Sequence, residues 1–277
     1  MVDRTSSKID KDSRYAIQEK AVDGSDRYTE VVIAIDAGLT LAAGLITDRT
    51  IGNKAGRNTD IDIGTEDVIS QGGLYTPPTV ARVHNIVSSS ASDTSAGVGA
   101  RTITINGLDS NYSDISEIVT LNGTTLVATV NSYIFINRMT CTTVGTSATN
   151  VGNITATAVT DATISAQISS GEGQAQLGVY QVPRGKTMYL SNFNASARVS
   201  GGGAGTAILQ LMTRTFGGAW TKRQTIMINL TGNSFVERFY KNPLVLAEKT
   251  MVKVQVTSDT NNMDVACAFD YINITAN

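Results

Sequence analysis

Residues 99–130 alternate short runs of patterned apolar residues with turn residues, and this stretch constrains the fold more than any other part of the chain. Ile103 and Ile105 lie two positions apart, and Val119 and Leu121 repeat that spacing after a break. Because successive side chains of a strand point to opposite faces, a spacing of two places these residues on one face. Each run therefore predicts a half-buried antiparallel strand.

The breaks between these runs contain residues that favour tight turns. Residues 107–111 read Gly-Leu-Asp-Ser-Asn, and the dipeptide Asn122-Gly123 follows the second run. Asn-Gly is a strong hairpin signal, since both residues tolerate a positive φ. We therefore predict a β-meander over residues 99–130, with a positive φ at the Asn-Gly turn.

This stretch resembles a segment of the virion structural proteins of tailed bacteriophages, in which the pattern GARTxxIxGLDxNYxxIxExVTLNGTT leads into a further strand pair. In those relatives a Trp often precedes paired glycines, whereas here Val-Ile-Ser-Gln precedes Gly72-Gly73. Further segments that fit the resemblance are residues 58–73, 182–190, 213–220 and 248–262. The resemblance implies a capsid decoration or cement protein, or a head or neck fibre subunit, that assembles as a homo-oligomer. A trimer is the oligomer it implies.

The composition predicts an all-β protein. Of the 277 residues, 41% are hydrophobic, which is enough to fill the cores of two ordinary domains. Only 17% are charged, and this low fraction disfavours surface helices and favours strands.

Two breaks in the sequence predict how the domains are divided. Pro77-Pro78 interrupts any strand, and Gly-Glu-Gly-Gln at 171–174 has the composition of a linker. The predicted organisation is two antiparallel β-sandwich or jelly-roll-like domains after an extended arm: residues 1–79 (arm and connector), 80–170 and 171–277.

Charge and hydropathy indicate which partners to expect. Residues 1–28 interleave acidic and basic side chains, so we predict an arm that is mobile alone and ordered in an assembled particle. The formal net charge of −2 argues against nucleic acid as a partner, and the apolar run at 31–46 is too short and interrupted to span a membrane. The first residues of the chain lack the apolar core of a signal peptide, and we therefore expect assembly in the host cytoplasm. The expected location is the virion, at the capsid exterior, neck or tail, and the expected partners are further copies, the major capsid protein and other virion proteins.

Candidate reactive residues are few. His84 lies in a strand-like run with no nucleophile motif near it, so we interpret it as a polar strand residue. Cys141 and Cys267 have no Cys-x-x-Cys partner and stand in phase with apolar neighbours, which predicts two buried thiols without a disulfide. We predict that the protein is not an enzyme, with no catalytic, cofactor or metal residues.

The acidic residues Asp60, Asp62, Glu66 and Asp67 raise the question of calcium, because carboxylates are its usual ligands. Gly64 falls at loop position five of an EF-hand template instead of six, and Gln71 replaces the closing Glu. A solvated acidic loop is the preferred interpretation, and a calcium site of another type stays open.

A carbohydrate-binding or host-receptor-binding β-module of a phage tail is the alternative function. Such a module needs an exposed aromatic platform, and the sequence offers the following aromatic residues for it: Trp220, Tyr180, Tyr189, Tyr240 and Tyr271. We interpret them as core and interface residues, since only 6% of the chain is aromatic. The glycine-rich run at 200–205 precedes a predicted strand, so it is interpreted as a hairpin tip and not as a phosphate loop.

Overall fold

The computed structural model describes residues 7–9, 15–20, 26–31 and 48–275, and the chain divides into two compact units, 1–51 and 52–277. In the first unit, three strands form an antiparallel sheet in the order β1-β2-β3: β1 Ser7–Ile9, β2 Tyr15–Lys20 and β3 Asp26–Val31. The rest of the predicted arm lies outside the described residues. Its mobility and its role in assembly stay predictions.

The described part of the chain after residue 48 consists of strands joined by turns and loops. Its first nine strands are β4 Arg49–Ile61, β5 Gly64–Asp67, β6 His84–Ser88, β7 Ala100–Leu108, β8 Asp114–Thr120, β9 Val127–Ala128, β10 Phe135–Val144, β11 Ile154–Ala158 and β12 Ile164–Ile168. The remaining strands are β13 Val179–Gln181, β14 Lys186–Val199, β15 Gly205–Arg214, β16 Thr221–Leu230, β17 Ser234–Leu246, β18 Met251–Ser258 and β19 Met263–Thr275. Within residues 48–275 the one helical element is a 3₁₀ turn at Ser200–Gly202, so the predicted all-β class is confirmed. No helix in the described ranges is both long and apolar enough to cross a membrane.

Four antiparallel sheets build the second unit, and each is named here after a central strand. The β7 sheet has the order β10-β7-β8, and the β11 sheet has the order β12-β11-β6-β9. The β15 sheet has the order β13-β18-β15-β16, with β5 also paired to β18, and the β14 sheet has the order β17-β14-β19-β4. Strands β16 and β17 are thus each the last strand of a sheet.

The predicted meander is correct for its first two strands and wrong for its third. β7 pairs with β8, with Ile103 opposite Val119, but β9 pairs with β6 in another sheet. The reason lies at the predicted turn, where Gly123 has a φ of 60°. The Gly123 N–H donates to the Asp93 carbonyl and the Gly123 carbonyl accepts from the Ser88 N–H, so this turn bonds to residues 88–93 instead of closing a hairpin.

Two other local predictions are confirmed. The apolar residues of 154–158 are expected to pair with those of 164–168 across 160–162, and the switch of apolar phase after Leu190 predicts a β-bulge near residues 191–192. β11 pairs with β12, and Ile154 and Ala156 lie opposite Ile168 and Ala166. The change of apolar phase in β14 coincides with a shift in its register against both neighbouring strands after Leu190, which is the predicted β-bulge.

Residues 133–144 are apolar on both faces, which predicts a strand in the middle of a sandwich, and strand β10 covers most of this range. It is an edge strand of the β7 sheet. Phe135 and Ile136 are fully buried all the same, since the strand also contacts β12 and β13 and the Tyr75 ring lies 5.3 Å from the Phe135 ring. Burial on both faces therefore came from neighbouring segments and not from two flanking strands.

The buried residues form two clusters. One joins the inward residues of the β7 and β11 sheets, and it includes Leu177 and Met251 from the C-terminal half. The other joins the inward residues of the β14 and β15 sheets, and it includes Ile61 and Val68 from the stretch predicted as a connector. The predicted domain boundaries at residues 79 and 170 stay a prediction.

Candidate interaction surfaces

His84 is a core residue with both ring nitrogens occupied. It is fully buried, with Nδ1 2.9 Å from the Arg82 carbonyl oxygen and Nε2 2.8 Å from Ser165 Oγ. Burial lowers the pKa of this imidazole below its ordinary value, although the Arg82 carbonyl opposes the shift. The side chain therefore ties β6 to β12 as a neutral group.

Both cysteines are free thiols. Cys267 is buried, and burial raises its pKa to about 12; Cys141 is half-buried, and burial raises its pKa to about 11. Thiols with such pKa values are poor nucleophiles at neutral pH because the thiolate is the reactive form.

The prediction of a solvated acidic loop is correct for Asp60 and Asp62, which are exposed, and wrong for Asp67, which is fully buried at the end of β5. Glu66 is occupied locally: its carboxylate accepts from Asn58 Nδ2 at 3.0 Å and from the Gly73 N–H at 2.7 Å. No three His, Cys, Asp or Glu side chains in the described ranges group as metal ligands.

The Asp67 carboxylate is the centre of a buried polar network. Lys253 Nζ lies 2.9 Å from Asp67 Oδ1, and the Tyr75 N–H donates to Oδ2 at 2.8 Å. Gln255 Nε2 donates to Oδ1 at 3.1 Å. Donors from β18 and from the segment at Tyr75 thus satisfy both carboxylate oxygens, as a buried charge requires.

Asp93 forms a second buried network that the sequence did not predict. Its carboxylate accepts from Ser88 Oγ at 2.6 Å and from the N–H groups of Ala100, Val151 and Gly152 at 2.8–2.9 Å. Burial alone raises the pKa of this carboxyl, but these hydrogen bonds outweigh it and hold the pKa below its usual value. Asp93 therefore organises the long loop between β6 and β7.

The aromatic residues proposed from the sequence as a platform are mainly packing residues. Tyr180 and Tyr271 are buried, with ring centroids 4.7 Å apart. Trp220 is half-buried between two cations, with Arg214 Cζ 5.0 Å and Lys253 Nζ 4.8 Å from its ring centroid. The interpretation of these residues as core residues is confirmed for Tyr180 and Tyr271.

One outer surface is the outward face of the edge strand β17, which follows the edge strand β16 across residues 231–233. We call it the edge surface. Its inward residues on β17, such as Val236 and Tyr240, pack on the core, whereas large apolar side chains on the other face are 62–69% exposed. These exposed side chains are Phe235, Phe239 and Val245.

A second surface is a cleft of about 530 Å³ at which several turns converge. The turns come from between β7 and β8, between β15 and β16, and between β17 and β18, and the Pro77-Pro78 segment closes one side. We call it the aromatic cleft. Its principal side chains are Tyr112, Phe216, Lys249 and Arg214.

Two residues of the aromatic cleft hold an unusual backbone conformation. Tyr112 has a φ of 64° and Lys249 a φ of 59°, values that non-glycine residues rarely adopt. Both are pinned to one neighbouring segment, because the Arg184 N–H donates to the Tyr112 carbonyl and the Lys249 N–H donates to the Val182 carbonyl, each at 2.8 Å. Strained positions of this kind cluster at functional sites.

The side chains of these strained residues meet. Lys249 Nζ lies 5.2 Å from the Tyr112 ring centroid and 5.1 Å from that of Phe216, and the two rings contact edge to face with centroids 5.5 Å apart. Phe216 is 63% exposed. The cleft therefore presents an open aromatic ring beside a positive charge.

Comparison with known proteins does not assign a family. No family model matches the chain, and no curated protein matches it. Among solved structures, the Yersinia pseudotuberculosis-derived mitogen is 11% identical with a TM-score of 0.18, and the match covers 36% of this chain and 81% of the mitogen. The VP2 subviral particle of infectious bursal disease virus is 12% identical with a TM-score of 0.21, covering 82% of this chain and 73% of VP2. A chain of the T13 particle of that virus is 10% identical with a TM-score of 0.20, covering 94% and 62%. Scores this low carry no inference about fold or function.

Proposed function

We propose that this chain is a non-enzymatic structural protein of a tailed-phage virion, either a capsid decoration or cement protein or a head or neck fibre subunit. The resemblance of residues 99–130 suggests the class, and the edge surface is the observation that carries the proposal. In this proposal, the β14 and β15 sheets form a β-sandwich whose open side is covered by another copy.

The edge surface suits self-association for two reasons. The outer edges of β16 and β17 have no neighbouring strand among the described residues, which leaves a row of backbone donors and acceptors available. Phe235 and Phe239 are also 66% and 69% exposed, and large exposed apolar groups next to an open edge mark an interaction site. Lys241 and Pro243, which are residues that commonly protect edges, occur only in the C-terminal half of β17.

Light scattering of the purified chain at micromolar concentration tests this proposal. We expect an oligomer, with three copies as the state suggested by the resemblance, and a monomer for the double variant Phe235→Ser/Phe239→Ser. Phe216→Ser is the matched control, because Phe216 is equally exposed but lies outside the edge surface. Truncation of residues 1–48 tests the arm while keeping all of β4. A wild-type monomer that also fails to bind particles lacking the protein would refute the assignment.

The second candidate is a carbohydrate- or receptor-binding module, and the aromatic cleft favours it. This candidate binding surface lies at a different place from the platform suggested by the sequence, because the exposed ring is Phe216 and not Trp220. Binding of any oligosaccharide, measured by calorimetry, tests this candidate independently of the oligomeric state.

A further inference from the structure

We propose that the aromatic cleft binds a carboxylated sugar unit of an acidic glycan. The inference rests on the second candidate function and is independent of assembly through the edge surface. It follows from three properties of the cleft: an exposed aromatic ring, cations without carboxylate partners, and neutral polar groups at the rim.

The aromatic component is Phe216, held by its contact with Tyr112 and Lys249. Pockets for small ligands combine apolar and aromatic walls with a few placed polar groups, at volumes of roughly 300–1,000 Å³. The aromatic cleft, at about 530 Å³, lies in this range. An exposed ring offers a flat apolar surface for the C–H face of a pyranose, which is the apolar side of an otherwise polar ligand.

The cationic component is Lys249 together with Arg214. Among the described residues, neither side chain has a carboxylate within 4.0 Å, in contrast to Arg57, Arg82, Arg198 and Lys253. Instead each cation lies near an aromatic ring, Lys249 beside Phe216 and Arg214 over Trp220. A guanidinium fork matches a carboxylate in two-point geometry, and the neighbouring ammonium adds a second positive charge. The cleft therefore selects an anionic ligand.

The rim supplies neutral hydrogen-bonding groups. Thr76 and Thr215 line the cleft, together with the buried Gln181, whose Nε2 donates to the Lys249 backbone carbonyl at 2.8 Å. Hydroxyl and amide groups of this kind suit the hydroxyl groups of a sugar. A nucleic acid fits less well, because its backbone needs an extended basic groove and the chain has a net charge of −2.

Isothermal titration with two matched ligand pairs tests the inference: trigalacturonate against its methyl ester, and 3′-sialyllactose against lactose. Each pair differs in the carboxylate or the acidic sugar unit that carries it. We expect at least one acidic ligand to bind about tenfold or more tightly than its neutral counterpart, the scale of a hydrogen bond to a charged group. We expect Phe216→Ala and Lys249→Gln each to weaken that binding at least tenfold.

Phe239→Ala is the control, since Phe239 is equally exposed but lies on the edge surface. Phe216 lies on an exposed turn, so its replacement leaves the fold intact, which the melting temperature checks. Equal binding of both members of each pair overturns the acidic specificity but keeps a sugar-binding function. Absence of binding to all four ligands overturns the inference alone, because the second candidate function also covers other glycans and receptors. Equal affinity for triglutamate overturns the assignment to a sugar.

Discussion

Lys253 Nζ and Asp67 Oδ1 lie 2.9 Å apart, and this ion pair joins the end of β5 to β18 across 186 residues of sequence. The Asp67 side chain is fully buried and that of Lys253 is 9% exposed. The pair attaches the stretch predicted as a connector to the β15 sheet. Its partners include the Tyr75 N–H, so it also positions the segment that leads to Pro77-Pro78 and the aromatic cleft.

The first prediction concerns this pair. Asp67→Asn leaves the Lys253 ammonium buried without a countercharge, and we expect the free energy of unfolding to fall by about 3 kcal/mol. Asp114→Asn is the matched control, because the Lys186–Asp114 pair is even shorter, at 2.6 Å, but Asp114 is 53% exposed. An exposed ion pair contributes less than about 1 kcal/mol to the free energy of unfolding, so we expect a smaller loss for this control. Urea unfolding measures both, and equal losses would show that the buried pair has no special role.

The second prediction concerns Asp93. Asp93→Asn places an amide N–H₂ group against donors that the carboxylate satisfies, and we expect a loss of about 3 kcal/mol. The control is Asp109→Asn, which changes a carboxylate that accepts from the Asn111 and Ser113 N–H groups at an exposed turn. The pKa of Asp93 is depressed in the folded state, so its contribution is complete above about pH 4 and is lost as the pH falls through the folded-state value. An acid unfolding curve unchanged by Asp93→Asn would contradict this role.

The third prediction is a dependence of stability on pH set by Lys54. Burial, with repulsion from Arg138 as a smaller cause, lowers the pKa of Lys54 to about 7 from an ordinary 10.5. The unfolded state therefore binds more protons than the folded state between these values, and stability rises with pH by at most ~1.4 kcal/mol per unit. We expect Lys54→Met to remove this rise between about pH 7 and 8, below the midpoint near pH 8.5 at which unfolded thiols titrate.

Urea unfolding at several pH values provides the measurement for Lys54. Lys222→Met is the control, because Lys222 is an exposed residue of β16. Retention of the slope in Lys54→Met would mean that another group causes it.

The fourth prediction concerns Gly123. Valine at this position combines an unfavourable φ of 60° with a Cβ only 3.1 Å from Ala91 Cα. We expect Gly123→Val to lower the free energy of unfolding by about 1–3 kcal/mol, the scale of a strained backbone position, with an added cost from the contact. Gly171→Val separates the two effects, since Gly171 has a φ of 82° but no atom within 4 Å of an added Cβ. A smaller loss for Gly123 than for Gly171 would contradict the contact with Ala91.

The sequence by itself determined most strands of residues 80–275 and several of their turns, but not β4 and β5. The alternation of Val252, Val254 and Val256 predicted the strand that is β18, and the apolar phase change in β14 predicted its bulge. Such features depend on neighbours within a few residues, because side-chain alternation reports directly which face of a strand is buried. The β11–β12 hairpin is of the same kind.

Only the tertiary structure decided which strands pair across long distances and which polar groups are buried. β9 left the meander because residues 88–93 bond to the turn before it, and Asp67 became a core residue because Lys253 and Gln255 approach it from β18. The aromatic cleft likewise joins Tyr112 to Lys249. A buried charge is stable only beside its partners, and those partners are distant in sequence, so local periodicity carries no information about them.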